Sequence, residues 1–245
     1  GTVGSHWEAR ILKGDYMNGF ADYDEEVISE FTLALLEDTG YLHVINDSYI
    51  TGGLMRFGKH KGCEFFSGNC APYDQLEDII SFSNEFYLPT DTDKYPEPSC
   101  SSNRLGKTVY KLHPINTDEG ETIVVPSSGY SNNGRTGLEQ TNYCPFGEYE
   151  PSEGFATGFC YDSNTEIDDA IHEERGSDSF CVLSSLISNS FKAACYKMSC
   201  SSKSLTIKVG DVHIVCPRSG GQIQPEGFEG YLLCPDYNLI CTASV

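Results

Sequence analysis

The sequence predicts an α+β fold in which one amphipathic helix near the N-terminus precedes a disulfide-rich, mainly β, loop-rich domain. Three observations carry this. A single stretch, Asp24 to Asp38, has helical periodicity. After about residue 45 the chain breaks into short apolar pieces separated by turn residues. All eleven cysteines lie between Cys63 and Cys241, so the first 62 residues have none. That uneven spread predicts two modules.

In the helical stretch Val27, Phe31 and Leu35 recur at i, i+4 and i+8 beside Ile28, Ala34 and Leu36, a wide apolar stripe. Asp22 or Asp24 can cap its start, Glu25 and Glu26 favour its positive end, and Gly40 stands where a left-handed residue would end it. From Asp15 to Asp38 there are eight acidic residues and no basic one, which reads as a solvated helix face with its approach loop. Farther on, Ile123 to Val125 is a candidate strand, and Ser127 to Thr141 is too polar to bury anything, so it reads as surface loop. Leu205, Ile207 and Val209 alternate with polar residues, Gly210-Asp211 supplies a two-residue turn, and Val212, Ile214 and Cys216 resume the alternation, which predicts a β-hairpin. Gly230 to Cys234 reads as another short strand.

Composition narrows the function. Sixteen Lys and Arg against 36 Asp and Glu give a formal net charge of −20, which repels phosphate backbones and excludes nucleic acid as a partner. Hydrophobic residues at 39% suffice for a packed core. No apolar run exceeds four residues, too short for a membrane-spanning helix. Eleven cysteines in loop-like surroundings predict an oxidising compartment, and therefore an extracellular or cell-surface location reached by the secretory pathway, with the signal peptide expected upstream of Gly1. No Cys-x-x-Cys occurs, which argues against a structural zinc ribbon and for disulfides.

Of the six histidines, His6, His43, His60, His113, His172 and His213, no two share a metal-ligand spacing. His172-Glu173-Glu174-Arg175-Gly176 lacks the second histidine of a zinc-protease helix and reads as polar all round. His213 falls on the polar face of the hairpin beside Thr206 and Lys208 and reads as a surface residue. By themselves His6 and Met17 would be a loop histidine and a gap-filling methionine. Their order with the helix points elsewhere. Gly4-Ser5-His6-Trp7-Glu8-Ala9-Arg10 leads to Asp15-Tyr16-Met17-Asn18-Gly19, and then to the helix closing in Leu35-Leu36-Glu37-Asp38-Thr39-Gly40-Tyr41. A histidine, a methionine in a tight turn and a C-terminal helix in this order resemble the metzincin zinc peptidases. The wording of the three segments resembles the leishmanolysin family, whose HExxH helix and third zinc histidine are separated by a long insertion.

The resemblance runs along the chain. Phe57-Gly58-Lys59-His60-Lys61-Gly62-Cys63-Glu64-Phe65, with Cys70 seven residues on, is similar to the family's Trp/Phe-Gly-x-x-x-Gly-Cys-Asp-Phe segment. Cys100-Ser101-Ser102-Asn103-Arg104-Leu105 resembles its Cys-Pro-Thr-x-Arg-Leu, and Tyr231 to Cys241 its closing Tyr-Ile-x-Cys-Pro-x-Tyr-x-x-x-Cys. It implies that residues 1–60 finish a metzincin catalytic module and that 61–245 form the disulfide-bonded C-terminal domain. It implies the pairs Cys70–Cys144, Cys100–Cys181, Cys160–Cys195, Cys200–Cys241 and Cys216–Cys234, and it pairs Cys63 with a cysteine upstream of Gly1. A further family bridge would fall near Ser83 and near Val109 or Tyr110, and neither half is cysteine here.

The function implied is that of a zinc metalloendopeptidase hydrolysing peptide bonds in proteins. Zinc held by three histidines activates a water, and a glutamate carries its proton to the leaving amine. Of that apparatus this chain has His6 as a zinc ligand and Met17 as the floor beneath the metal, with the residues after Met17 walling the substrate pocket. The HExxH glutamate and two histidines are absent, so this chain alone should be inactive, with its catalytic partner an upstream N-terminal segment held by the Cys63 disulfide. The competing reading is a catalytically inactive leishmanolysin-like surface glycoprotein with a role in adhesion or in cell-surface or extracellular matrix assembly. A free-standing secreted disulfide domain is disfavoured because it would leave Cys63 unpaired. Asn46-Asp47-Ser48 is the chain's single glycosylation sequon, and Cys241 to Val245 carries no hydrophobic tail to signal a lipid anchor.

Overall fold

The computed structural model describes residues 4–19, 27–40, 55–59, 62, 63, 65, 70, 99–110, 112–116, 120–127, 129, 131, 132, 134–148, 158–186 and 191–241. Among them the protein is mainly β with few helices and five disulfides. In chain order come α1 (Ala9–Leu12), α2 (Glu30–Asp38), β1 (Ser99–Cys100), β2 (Gly106–Tyr110), β3 (His113–Pro114), β4 (Ser131–Asn132), β5 (Arg135–Thr136), β6 (Gly147–Glu148) and β7 (Gly158–Phe159). They are followed by β8 (Ser179–Ser184), β9 (Lys192–Cys200), β10 (Leu205–Val209), β11 (Val212–Cys216), β12 (Gly221–Ile223), β13 (Leu232–Cys234) and α3 (Tyr237–Cys241). The chain forms two compact units, one of Gly1–Ala71 with Leu112–Pro145, the other of Pro72–Lys111 with Phe146–Val245. The first unit thus takes in a stretch well beyond residue 60, and Cys70–Cys144 staples its two pieces together.

In the first unit the helix is shorter than its periodicity predicts. Val27 is not helical: its N–H donates to the Gly14 carbonyl and its carbonyl accepts from the Tyr16 N–H, both at 2.8 Å. With both backbone groups committed to this bridge, the helix starts only at Glu30, where Ser29 Oγ accepts the Thr32 N–H and caps it. Asp22 and Asp24, the caps expected from sequence, lie outside the described residues. Gly40 does end the helix, at φ +70°, its N–H bonded to the Glu37 carbonyl. The inward face also differs from the expected stripe: Phe31 and Leu35 are 59% and 44% exposed, while Thr32 is buried. Hydrogen bonds to Thr32, rather than apolar burial, orient this helix.

Ile123 to Val125 is not a strand. The Ile123 N–H bonds to the Ile115 carbonyl, and a single bridge joins Asn116 to Thr122. Ser127 to Thr141 buries more than its polarity suggests. It contributes β4 and β5, of which β5 is the central strand, pairing with β4 on one side and β3 on the other. Thr136 and Thr141 are fully buried, and Thr141 Oγ1 donates to the Cys144 carbonyl at 2.7 Å. Gly137 lies so close to that carbonyl that a Cβ would collide with it.

The second unit is built on an antiparallel six-stranded sheet in the order β11-β10-β9-β8-β13-β12. The hairpin is β10 and β11, in register from Leu205↔Cys216 to Val209↔Val212, with Gly210 at φ +57° in its turn. β13 is the strand expected before Cys234. The central strands β8 and β9 are buried on both faces. Val182, Ala194, Tyr196 and Met198 face a core completed by Leu205, Ile207, Leu232 and the α3 residues Tyr237 and Ile240. Cys181, Leu183, Ala193 and Cys195 face the other way, toward Cys100 and Cys160. Cys181 and Cys195 are themselves cross-strand partners, so Cys100–Cys181 and Cys160–Cys195 pin the smaller β1-β2-β6 sheet, with β7 on β2, to the middle of the larger one. With sequence separations of 81 and 35, each bridge contributes about 4 kcal/mol on a chain-entropy estimate. Cys216–Cys234 and Cys200–Cys241 close the C-terminal end and tether α3.

Candidate functional site

His6 and Met17 are brought together by the backbone. The Trp7 N–H donates to the Met17 carbonyl at 2.9 Å, the Gly19 N–H reaches back to the Trp7 carbonyl at 3.4 Å, and Trp7 forms a parallel bridge with Asn18. The His6 segment therefore lies directly along the Met17 turn. The His6 side chain is exposed, with Nδ1 2.8 Å from Ser5 Oγ. Met17 is half-buried.

The sequence reading overlooks the residue that organises this turn. Asp15, one of the eight acidic residues whose run reads as a solvated face, is 1% exposed. Its carboxylate accepts the Met17 N–H at 2.7 Å, the Ser29 N–H at 3.2 Å and the Thr32 hydroxyl at 2.8 and 2.9 Å. Thr32 Oγ1 in turn accepts the Trp7 indole N–H at 2.7 Å. Two local signals were present in the sequence: an Asp two residues before an amide it can hold, and a Ser three residues before a helical Thr.

Arg10, the last residue of the His6 motif, is buried and donates through Nη2 to the Phe65 carbonyl at 2.9 Å, with its guanidinium 5.3 Å from the Phe65 ring centre. Burial lowers its pKa, against a smaller opposing effect of Glu8. Phe65 meets Phe57 edge to face at 5.2 Å. Gly58 sits at φ +67°, where a Cβ would come within 2.6 Å of the Phe65 ring, so only glycine fits there. Two of the quoted motifs, around His6 and around Cys63, are thereby one packed cluster.

The His172 to Gly176 segment is not polar surface throughout. His172 is exposed at the left-handed end of a 3₁₀ turn, but the Glu173 side chain is wholly buried. Its carboxylate pairs with Lys107 Nζ at 2.8 Å and accepts the Asp168 and Cys195 N–H groups at 2.9 and 3.0 Å. This charge is structural, as is the half-exposed Glu174 between Lys197 and Lys208. His213 is exposed in β11 opposite Lys208. Cys63 is exposed and takes part in none of the five disulfides. Asn46, His43 and His60 lie outside the described residues. Among the described residues no three His, Cys, Asp or Glu side chains converge to hold a metal ion, so His6 is a single candidate ligand. Its chemistry fits: a ligating imidazole normally hydrogen-bonds through its second nitrogen, as Nδ1 does here with Ser5.

A leishmanolysin homolog of Crithidia fasciculata is 27% identical over 149 residues, covering 60% of this chain and 20% of that protein. A leishmanolysin-like peptidase of Drosophila pseudoobscura pseudoobscura is 36% identical over 76 residues, covering 31% and 10%. One of Caenorhabditis briggsae is 26% identical over 156 residues, covering 60% and 23%. The chain thus spans well under a third of the length of these relatives. No solved structure matches it. The family Peptidase_M8, leishmanolysin, matches residues 1–245. On that match, the chain belongs to the leishmanolysin family, whose members are generally zinc metallopeptidases.

Proposed function

We propose that this chain is the C-terminal portion of an extracellular or cell-surface zinc metalloendopeptidase acting on proteins or peptides, with His6 as a zinc ligand and Met17 beneath the metal. The supporting observation is the seating of His6-Trp7 on the Met17 turn through the 2.9 Å Trp7 to Met17 hydrogen bond, in a chain of the leishmanolysin family. A bound zinc ion supplies Lewis acidity and lowers the pKa of a water toward about 7. This chain's residues hold and orient. If His6 held the metal through its imidazole, Ser5 Oγ, 2.8 Å from Nδ1, would be the partner that orients the ring. Met17 contributes an apolar thioether and shape rather than a metal bond. The other two histidines and the glutamate base come from residues outside this chain, which is inactive without them. By family pattern Cys63 is bridged to that upstream segment, and Asn46 is a glycosylation site. The five disulfides support an oxidising compartment.

The test is His6→Ala in the intact, metal-replete protein. Zinc content and hydrolysis of an unfolded protein substrate should both fall to background, while Met17→Leu should keep zinc and most activity. A His6→Ala protein that retains a full equivalent of zinc and its activity overturns the proposal.

A further inference from the structure

We infer that Asp15 is a positioning residue for His6, acting through Thr32 and Trp7 and resting on the reading of His6 as a zinc ligand. Directionality makes the chain of bonds specific. An indole N–H only donates, so the 2.7 Å contact obliges Thr32 Oγ1 to accept from Trp7. The single Thr32 hydroxyl proton is then left for Asp15, at 2.8 and 2.9 Å. The second set of Asp15 bonds runs to the Met17 N–H at 2.7 Å and the Ser29 N–H at 3.2 Å. One buried carboxylate therefore fixes three things at once: the Met17 turn, the first turn of α2, and, through Thr32, the indole of the residue next to His6.

The geometry has a purpose that stability alone would not require. His6 is exposed and touches the fold through Ser5 and its backbone neighbours, so its own side chain cannot fix its place. Trp7 is the chain's single tryptophan and is held at both ends, by its N–H on Met17 and its indole on Thr32. Rotation or slippage of the His6 segment over the Met17 turn would have to break both. Asp15 and Thr32 do not touch His6 but hold the segment that carries it; the loss of a direct outer-shell partner, roughly 10- to 100-fold in metal affinity, sets the scale of the effect.

The experiment measures zinc affinity of the intact protein by chelator competition and, on the same samples, backbone amide exchange in the peptide spanning residues 4–19. Thr32→Val should speed exchange at Trp7 and Met17 and lower zinc affinity roughly tenfold or more. Thr32→Ser, which keeps the hydroxyl, should restore both. Asp15→Asn places an NH2 among donors and should act like Thr32→Val, with the Tyr143 and Cys144 amides of the same unit still protected as the control for folding. Unchanged zinc affinity in Thr32→Val despite faster exchange overturns the positioning role and leaves the zinc reading intact, as does a loss that Thr32→Ser fails to restore. Unchanged zinc affinity in His6→Ala overturns the zinc reading and the positioning role together.

Discussion

Replacing Lys107 by methionine isolates what the buried Glu173 charge is worth. Glu173 is wholly buried and Lys107 nearly so, at 0% and 6% side-chain exposure, with Nζ 2.8 Å from Oε1. At an effective dielectric of about 20 that separation is worth about 6 kcal/mol of attraction, which desolvation of the two ions largely offsets. Removing one partner of such a pair typically costs 3–5 kcal/mol, because the survivor is left buried and uncompensated. Here the survivor keeps the Asp168 and Cys195 N–H groups and Arg175 Nη2 at 3.9 Å, so the loss belongs at the lower end, about 3 kcal/mol. Methionine preserves the length of the side chain and its place in β2. With a urea m-value of about 2 kcal/mol per molar, the midpoint should fall by about 1.5 M. The assay is urea unfolding with disulfides oxidised, followed by near-ultraviolet circular dichroism and by exchange of the Cys195 amide. Lys197→Met is the control, since its pair with Glu174 is over a third exposed on the lysine side and should shift the midpoint far less. Equal shifts in the two variants would refute the argument.

Three further outcomes follow from the second unit. Burial pushes the Tyr196 hydroxyl up to about 12, so its neutral form stabilises the fold below pH 10 and that contribution is lost as pH rises from 10 through about 12. Tyr196→Phe should therefore abolish the latest step in an ultraviolet tyrosine titration and lose about 1 kcal/mol with the 2.8 Å bond to the Ile171 carbonyl; an unchanged titration would contradict it. Hydrogen bonds from Lys197 and then Lys208 hold the Glu174 carboxyl below its ordinary 4.5, so its stabilisation is present above that pH and lost as pH falls through the lowered value. Acid denaturation curves of Glu174→Gln should be shallower in that window, and an identical slope to the parent would count against the pairing. Gly230 lies against the Ser185 carbonyl, where a Cβ would collide with backbone, and the flanking Ser185 N–H to Tyr231 carbonyl bond is 2.7 Å. Gly230→Ala should cost about 2 kcal/mol or more in the same urea assay, and a neutral effect would show that β13 shifts freely.

What could be read directly was what local pattern encodes. The β10–β11 hairpin was legible because one face is buried and the other solvated, so the sequence alternates and Gly210 marks the turn. β8 and β9 carry no such signal, for the opposite reason. Buried on both faces, Phe180 to Leu183 and Ala193 to Tyr196 present continuous apolar runs with no period to detect. Periodicity over-extends the helix because Val27 fits the stripe by spacing, yet its backbone is claimed by Gly14 and Tyr16.

The sequence by itself determined the family, through the His6 and Met17 segments and the cysteine motifs, because those features are written in short, ordered words. Beyond the local turn signals at Asp15 and Ser29, the tertiary structure decided which charges are structural. Asp15 and Glu173 look like their many acidic neighbours along the chain, and only folding sets one beside Met17, Ser29 and Thr32 and the other beside Lys107. A carboxylate enters the interior when donors from distant positions meet it there, and linear spacing carries no record of such a meeting across 66 residues.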